Sequence, residues 1–150
     1  MLRARTHWGS QRMAITWDPT LALGIEEIDA QHEELFRRVD ALLESVQERR
    51  SAEETRRMLA FLDAYVVEHF GAEEALMQAH RYPGLAAQRA EHAGFAADLA
   101  ALREELERDG MNALLVVRVN ARVATWLFEH ISRSDRAFGR FLLAAPAARA

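Results

Sequence analysis

Apolar residues recur at spacings of three and four along most of this chain, in four separate runs. The first is Ile25, Ile28, Leu35, Val39, Leu42 and Val46, and the second Met58, Leu62, Tyr65 and Leu76. The third is Leu85, Phe95, Leu99, Leu102 and Leu106, and the fourth Leu115, Val119, Val123 and Trp126. Such spacing places each set on one face of an α-helix. It predicts a first helix from about Gly24 to Arg49. Ser51 followed by Glu54 reads as a capping box that opens a second helix, and Tyr82-Pro83-Gly84 ends it near Ala79. A third helix runs from Leu85 to Asp109, where Gly110 stops it, and Asn112 caps a fourth. A short closing helix, Asp135 to Leu143, leads into an Ala-rich tail. Ahead of the first helix, Ile15 to Thr20 reads as an extended lead-in because the residue before Pro19 avoids helical angles, with Trp17 packing over the end of the bundle. Helices of similar length joined by short turns pack as antiparallel neighbours. The expected fold is therefore all-α, an up-down-up-down four-helix bundle over residues 15–143. Residues 1–14 form an extension expected to be disordered, with Met13 an alternative start, and 144–150 form a tail.

Composition narrows the chemistry. Half of the 150 residues are hydrophobic, with seven Gly and three Pro, which fits one compact helix-rich domain. A formal net charge of −4 gives no phosphate-binding surface, so nucleic acid is not an expected partner. There is no Cys, which removes disulfides, thiolate metal sites, iron–sulfur clusters and a cysteine nucleophile. Every basic side chain is Arg, so Schiff-base chemistry is excluded. No apolar run approaches the roughly 18–20 residues that span a bilayer. Residues 1–12 lack the apolar segment of a secretory signal. A cytoplasmic protein is expected, and solvated faces rich in Glu33, Arg37, Arg38, Glu48, Glu53, Arg56 and Arg57 favour a monomer.

The exceptions inside the apolar stripes carry the chemical signal. Each helix places one histidine on its inward face: His32, His69, His92 and His130. Antiparallel packing brings all four to one end of the bundle. Glu73 lies four residues after His69, one turn along the same face, so the pair forms a two-ligand grip. A lone inward histidine is usually a hydrogen-bonded core residue. Four at one level with a carboxylate among them point instead to a metal site, of a kind that suits iron, zinc, copper or manganese, or a carboxylate-bridged pair. The ferritin-like pattern needs Glu-x-x-His pairs, and no Glu precedes any His here by three. Gln88 also lies on the inward stripe of the third helix. His80 falls on the face of His69 but near the helix end, where a surface position is expected, and His7 is assigned no role.

Gly24-Ile25, Ile28-Asp29 and Gln31-His32, then His69-Phe70-x-x-Glu73-Glu74 with Met77, then Tyr82-Pro83, His92-x-x-Phe95 and Trp126-Leu127-x-x-His130-Ile131-x-x-x-Asp135 together resemble a bacterial hemerythrin. The resemblance covers Trp17 to about Phe138, with the motifs in order and at the right spacing. It implies a four-helix bundle that holds two non-haem irons, an oxo- or hydroxo-bridged centre, and binds dioxygen reversibly as a carrier, store or sensing module. Carried over by residue, it makes His32 and His69 ligands of the iron where dioxygen lands, His92 and His130 ligands of the other, and Glu73 and Asp135 bridges. Asp135, five residues after His130, is out of step with a regular helix, so the backbone must widen or unwind there. Leu127, Phe70, Phe95 and Trp126 resemble the apolar wall of the dioxygen pocket, which keeps water out.

This chain departs from the family at Gln88, where a further histidine ligand is expected. The Gln88 amide oxygen ligates weakly, or water takes the position, or that iron is held loosely. Open coordination there raises a second reading, a di-iron enzyme acting on hydrogen peroxide or nitric oxide. A third is a structural bundle whose site holds zinc for stability.

Overall fold

The computed structural model describes residues 17–47 and 50–144. The expected extension at 1–14, His7, Ile15, Thr16, Glu48, Arg49 and residues 145–150 of the tail lie outside them. Four long helices form an all-α bundle: α1 (Glu26–Gln47), α2 (Ser51–Ala79), α3 (Leu85–Asp109) and α4 (Ala113–Glu129). α4 continues through a π-helical turn, His130–Asp135, into α5 (Arg136–Ala144). Cross-helix pairs establish the antiparallel order. On α3 and α4, Glu91 pairs with His130, Asp98 with Arg122 and Glu105 with Arg118, so α4 runs back as α3 runs forward. Arg103 with Asp63 and Arg89 with Glu74 align α3 against α2 in the same sense.

The ends follow local chemistry. Gly110 (φ 73) closes α3 with its N–H on the Leu106 carbonyl, and the Asn112 side chain accepts from Leu115 N–H to open α4. Three expectations need correction. The lead-in is not wholly extended, because Pro19–Leu21 forms a 3₁₀ turn, with the Asp18 carboxylate accepting from Thr20 N–H and Pro19 supplying a preset φ. Ser51 is not the N-cap: it is already inside α2, Arg50 takes the N-cap position, and Glu54 accepts from Arg57. α1 begins at Glu26 rather than Gly24, since Gly24 sits at φ 84 and the Asp29 carboxylate holds the Leu23 and Gly24 N–H groups at 2.7 and 3.1 Å. Trp17 packs edge-on against Phe36 and lies 6.4 Å from the His32 ring, so it covers the side of the site.

The core has two parts. The larger runs along the bundle through Leu35, Val39, Leu62, Leu99, Leu115, Val119 and Val123. The smaller, Leu23, Ile28, Met77 and Phe138, docks α5 and the α2–α3 turn onto the end near the histidines. Tyr82 joins them, with ring centroids 4.9 Å from Phe138 and 5.1 Å from Phe141. Gly84 makes room for that ring, since a Cβ there would lie 2.5 Å from Tyr82 Cε1. Gly84→Ala should therefore push Tyr82 off the α5 aromatics and cost about 1–3 kcal/mol. The check is a thermal melt with limited proteolysis at α5; an unchanged melt with α5 still protected would show that the ring relocates freely.

Candidate metal centre

The inward stripes deliver six polar side chains to one level of the bundle, all at most 4% exposed: His32, His69, Glu73, His92, His130 and Asp135. α1 supplies His32, α2 supplies His69 and Glu73, and α3 supplies His92. His130 and Asp135 come from the two ends of the π turn. A regular helix would carry the fifth residue after His130 away from the centre. The wider turn brings Asp135 back, with Oδ1 3.2 Å from His130 Nε2 and Oδ2 3.1 Å from His32 Nε2.

The ligand atoms fall into two groups, each within 4.8 Å of one another. One is His32, His69, Glu73 and Asp135; the other is Glu73, His92, His130 and Asp135. The histidines are divided and both carboxylates are shared. Glu73 Oε1 lies 2.9 Å from both His32 Nε2 and His69 Nε2, while its Oε2 lies 3.3 Å from His92 Nε2. Within each group the paired imidazoles face each other, Nε2 to Nε2, at 3.1 Å.

Outer partners determine what those nitrogens present. His69 Nδ1 donates to Gln31 Oε1 at 2.5 Å, His92 Nδ1 to Glu74 Oε1 at 2.9 Å and His130 Nδ1 to Glu91 Oε2 at 2.6 Å. An acceptor at Nδ1 places a proton there and leaves Nε2 of the neutral ring as a lone pair. Lone pairs aimed at each other and at carboxylate oxygens repel unless positive charge lies among them, either a metal cation or protons on Nε2 that make the hydrogen bonds to the carboxylates. That arrangement fits a metal. His32 Nδ1 is the exception, buried without a hydrogen-bond partner.

The electrostatics carry the same demand. Burial works against charging His32, yet hydrogen bonds to Asp135 and Glu73 outweigh it and raise its pKa to about 9. Burial likewise opposes ionising Glu73, but hydrogen bonds with His32, His69 and His92 hold its carboxyl well below the usual range. His130 is raised against its own burial by its hydrogen bond to Asp135. Glu73 is thus kept ionised and calls for positive charge, which a metal ion supplies.

Aromatic rings wall the site. Phe70 stacks on His92 at 3.8 Å, Trp126 on His130 at 4.4 Å and Tyr65 on His69 at 4.8 Å. Phe95 stacks on Trp126 at 4.0 Å, and Leu127 is buried beside them. Gln88 is also buried, and its Nε2 donates to Asp135 Oδ1 at 3.1 Å while its Oε1 has no hydrogen-bond partner. His80 is exposed at the end of α2, apart from the cluster. Sequence reasoning missed the outer partners Gln31, Glu74 and Glu91. Each is the immediate chain neighbour of a ligand and serves the histidine of the next helix, a pairing that stripe periodicity does not reveal.

A four-helix bundle with divided imidazoles and shared carboxylates belongs to the class of helical metal-binding proteins. The family described as "Hemerythrin HHE cation binding domain" matches residues 23–142, and the chain belongs to that family. It is similar to a bacteriohemerythrin of Methylococcus capsulatus, 32% identical over 123 residues that cover 77% of this chain and 86% of the relative. It is similar also to one of Stenotrophomonas maltophilia, 29% identical over 129 residues that cover 83% of this chain and 78% of the relative. No helix among the described residues is long and apolar enough to cross a membrane.

The outer partners provide a direct test. Glu91→Ala removes the acceptor of His130 Nδ1 and should weaken metal binding roughly 10–100-fold, measured by competition with a chelator. Glu129→Ala, in the same surface groove but without a bond to a ligand histidine, should leave affinity unchanged. Equal affinities for the two variants would mean that Glu91 does not orient His130.

Proposed function

We propose that the protein holds two non-haem irons and binds dioxygen reversibly, as a carrier, store or sensing module. The observation that supports this reading most is the donor arrangement: His32 with His69, and His92 with His130, around a shared Glu73 and Asp135. Two separate mononuclear sites would need no shared carboxylates, whereas a bridged pair needs both. His32 and His69 would hold one iron and His92 and His130 the other, with Glu73 and Asp135 available to both. The iron pair, when bound, supplies the redox electrons and the coordination position that dioxygen requires.

The chain's own residues do the rest. Gln31, Glu74 and Glu91 lock three imidazoles with Nε2 inward, so little reorganisation accompanies ligand binding. The two carboxylates offset part of the metal charge in a dry interior. Phe70, Phe95, Trp126 and Leu127 exclude water, and with it the proton supply that turns reversible binding into irreversible oxidation.

Iron content per chain is to be measured with the visible spectrum of anaerobically reduced protein, before air, after air and after oxygen is removed again. Two irons and a coloured form that appears and reverses are expected; zinc in place of iron, or oxidation with no reversible form, would overturn the reading. Glu73→Ala removes a bridge, and its loss of metal affinity should exceed the roughly 10–100-fold that loss of an outer partner costs. Full occupancy by two irons in that variant would remove Glu73 from its bridging role.

A further inference from the structure

Gln88 is the one buried polar side chain at this level that the reading above leaves without a task. Its amide nitrogen is committed to Asp135 Oδ1. Turning the amide over would set two oxygens against each other at that contact, so the oxygen cannot take the nitrogen's place. Gln88 Oε1 is left as a buried acceptor without a donor. A neutral amide oxygen is also a poor match for a metal that already has imidazole and carboxylate donors. Both halves of the centre therefore present the same set, two imidazoles and two shared carboxylates, and neither gains a third nitrogen.

That side of the centre also lies close to the surface. A groove of about 250 Å³ between the start of α3 and the π turn is lined by Gln88, with Tyr82, Glu91, Arg133 and Ser134 around it. A second groove of about 250 Å³ reaches His130 itself and shares Glu91, Arg133 and Ser134 with the first. The partition between them is slight. Ser134 Oγ donates to the Glu91 carboxylate at 2.8 and 2.9 Å, and both residues lie at the surface. Arg133, 77% exposed and 4.0 Å from the Glu129 carboxylate, lines both grooves and sets a cation beside the acidic Glu91 and Glu129 there. Two metal cations against two carboxylates leave the centre with excess positive charge, and the ligand that matches both charge and space is a small anion.

We infer that the His92/His130 side carries a second binding position for a small anion, opened by Gln88 and entered past the Glu91–Ser134 contact. The inference rests on the two-metal reading and adds a second exogenous ligand to it. Azide is the probe. Iron-loaded, oxidised protein is titrated with azide by calorimetry and followed by its visible charge-transfer absorption, after iron content and circular dichroism have been recorded. The wild type and Gln88→Ala should each bind two azides per chain. Gln88→His should bind one, because the new imidazole occupies the position. Arg133→Gln, at the mouth and away from the ligands, should slow entry of one azide equivalent and leave the other unchanged. One azide per chain in the wild type, or two retained in a folded Gln88→His, overturns the inference while two irons and reversible oxygenation leave the parent reading standing. Fewer than two irons per chain defeats both.

Discussion

Two carboxylates in the middle of an apolar bundle constrain everything around them. Taking an ionised carboxylate out of water costs several kcal/mol even after the protein relaxes, and Glu73 and Asp135 are each about 1% exposed. A charge on either must be answered locally. Imidazoles from α1, α2, α3 and the π turn after α4 crowd around them, with Nε2 atoms 2.9–3.3 Å from carboxylate oxygens. A bundle held by hydrophobic burial alone would tolerate small slides of one helix against another. This one has a point on each helix that must meet the same pair of oxygens.

The outer hydrogen bonds extend that constraint around the bundle. Gln31 on α1 serves His69 on α2, Glu74 on α2 serves His92 on α3, and Glu91 on α3 serves His130 beyond α4. α1, α2 and α3 each contribute a candidate ligand and also steady the histidine that follows on the next element, using adjacent residues of the chain. The circuit is not closed, because His32 Nδ1 has no acceptor from α4. His32 is oriented instead by its contacts at Nε2 and by packing near Trp17.

Much of this was legible in the sequence where a single residue forces the outcome. Pro83 and Gly84, Gly110 and Asn112 punctuate the chain, and α3 begins and ends at the expected residues. Inward histidines stood out because an imidazole in an apolar stripe breaks the pattern that places it. Ser51 misled, because a capping box depends on which residue takes the N-cap position, and here that is Arg50. Asp135 was visible only through family resemblance, since periodicity projects it off the inward face. The part played by Gln31, Glu74 and Glu91 could not be read at all. Their role depends on which helix lies beside which, and a stripe records only that a residue faces inward or outward.

The π turn has an effect beyond Asp135. A residue inserted without breaking the helix rotates everything that follows by about 100° relative to a straight α-helical rod. The apolar face of α5 is set by that rotation, and it directs Phe138 and Gly139 inward, where a Cβ on Gly139 would come within 3.3 Å of Leu23. The length of the His130–Asp135 segment is thus a phase setting shared by two tasks. A one-residue deletion there would take the carboxylate from the centre and turn the closing helix's greasy side to water, so the number of residues in the turn is bound as tightly as their identity.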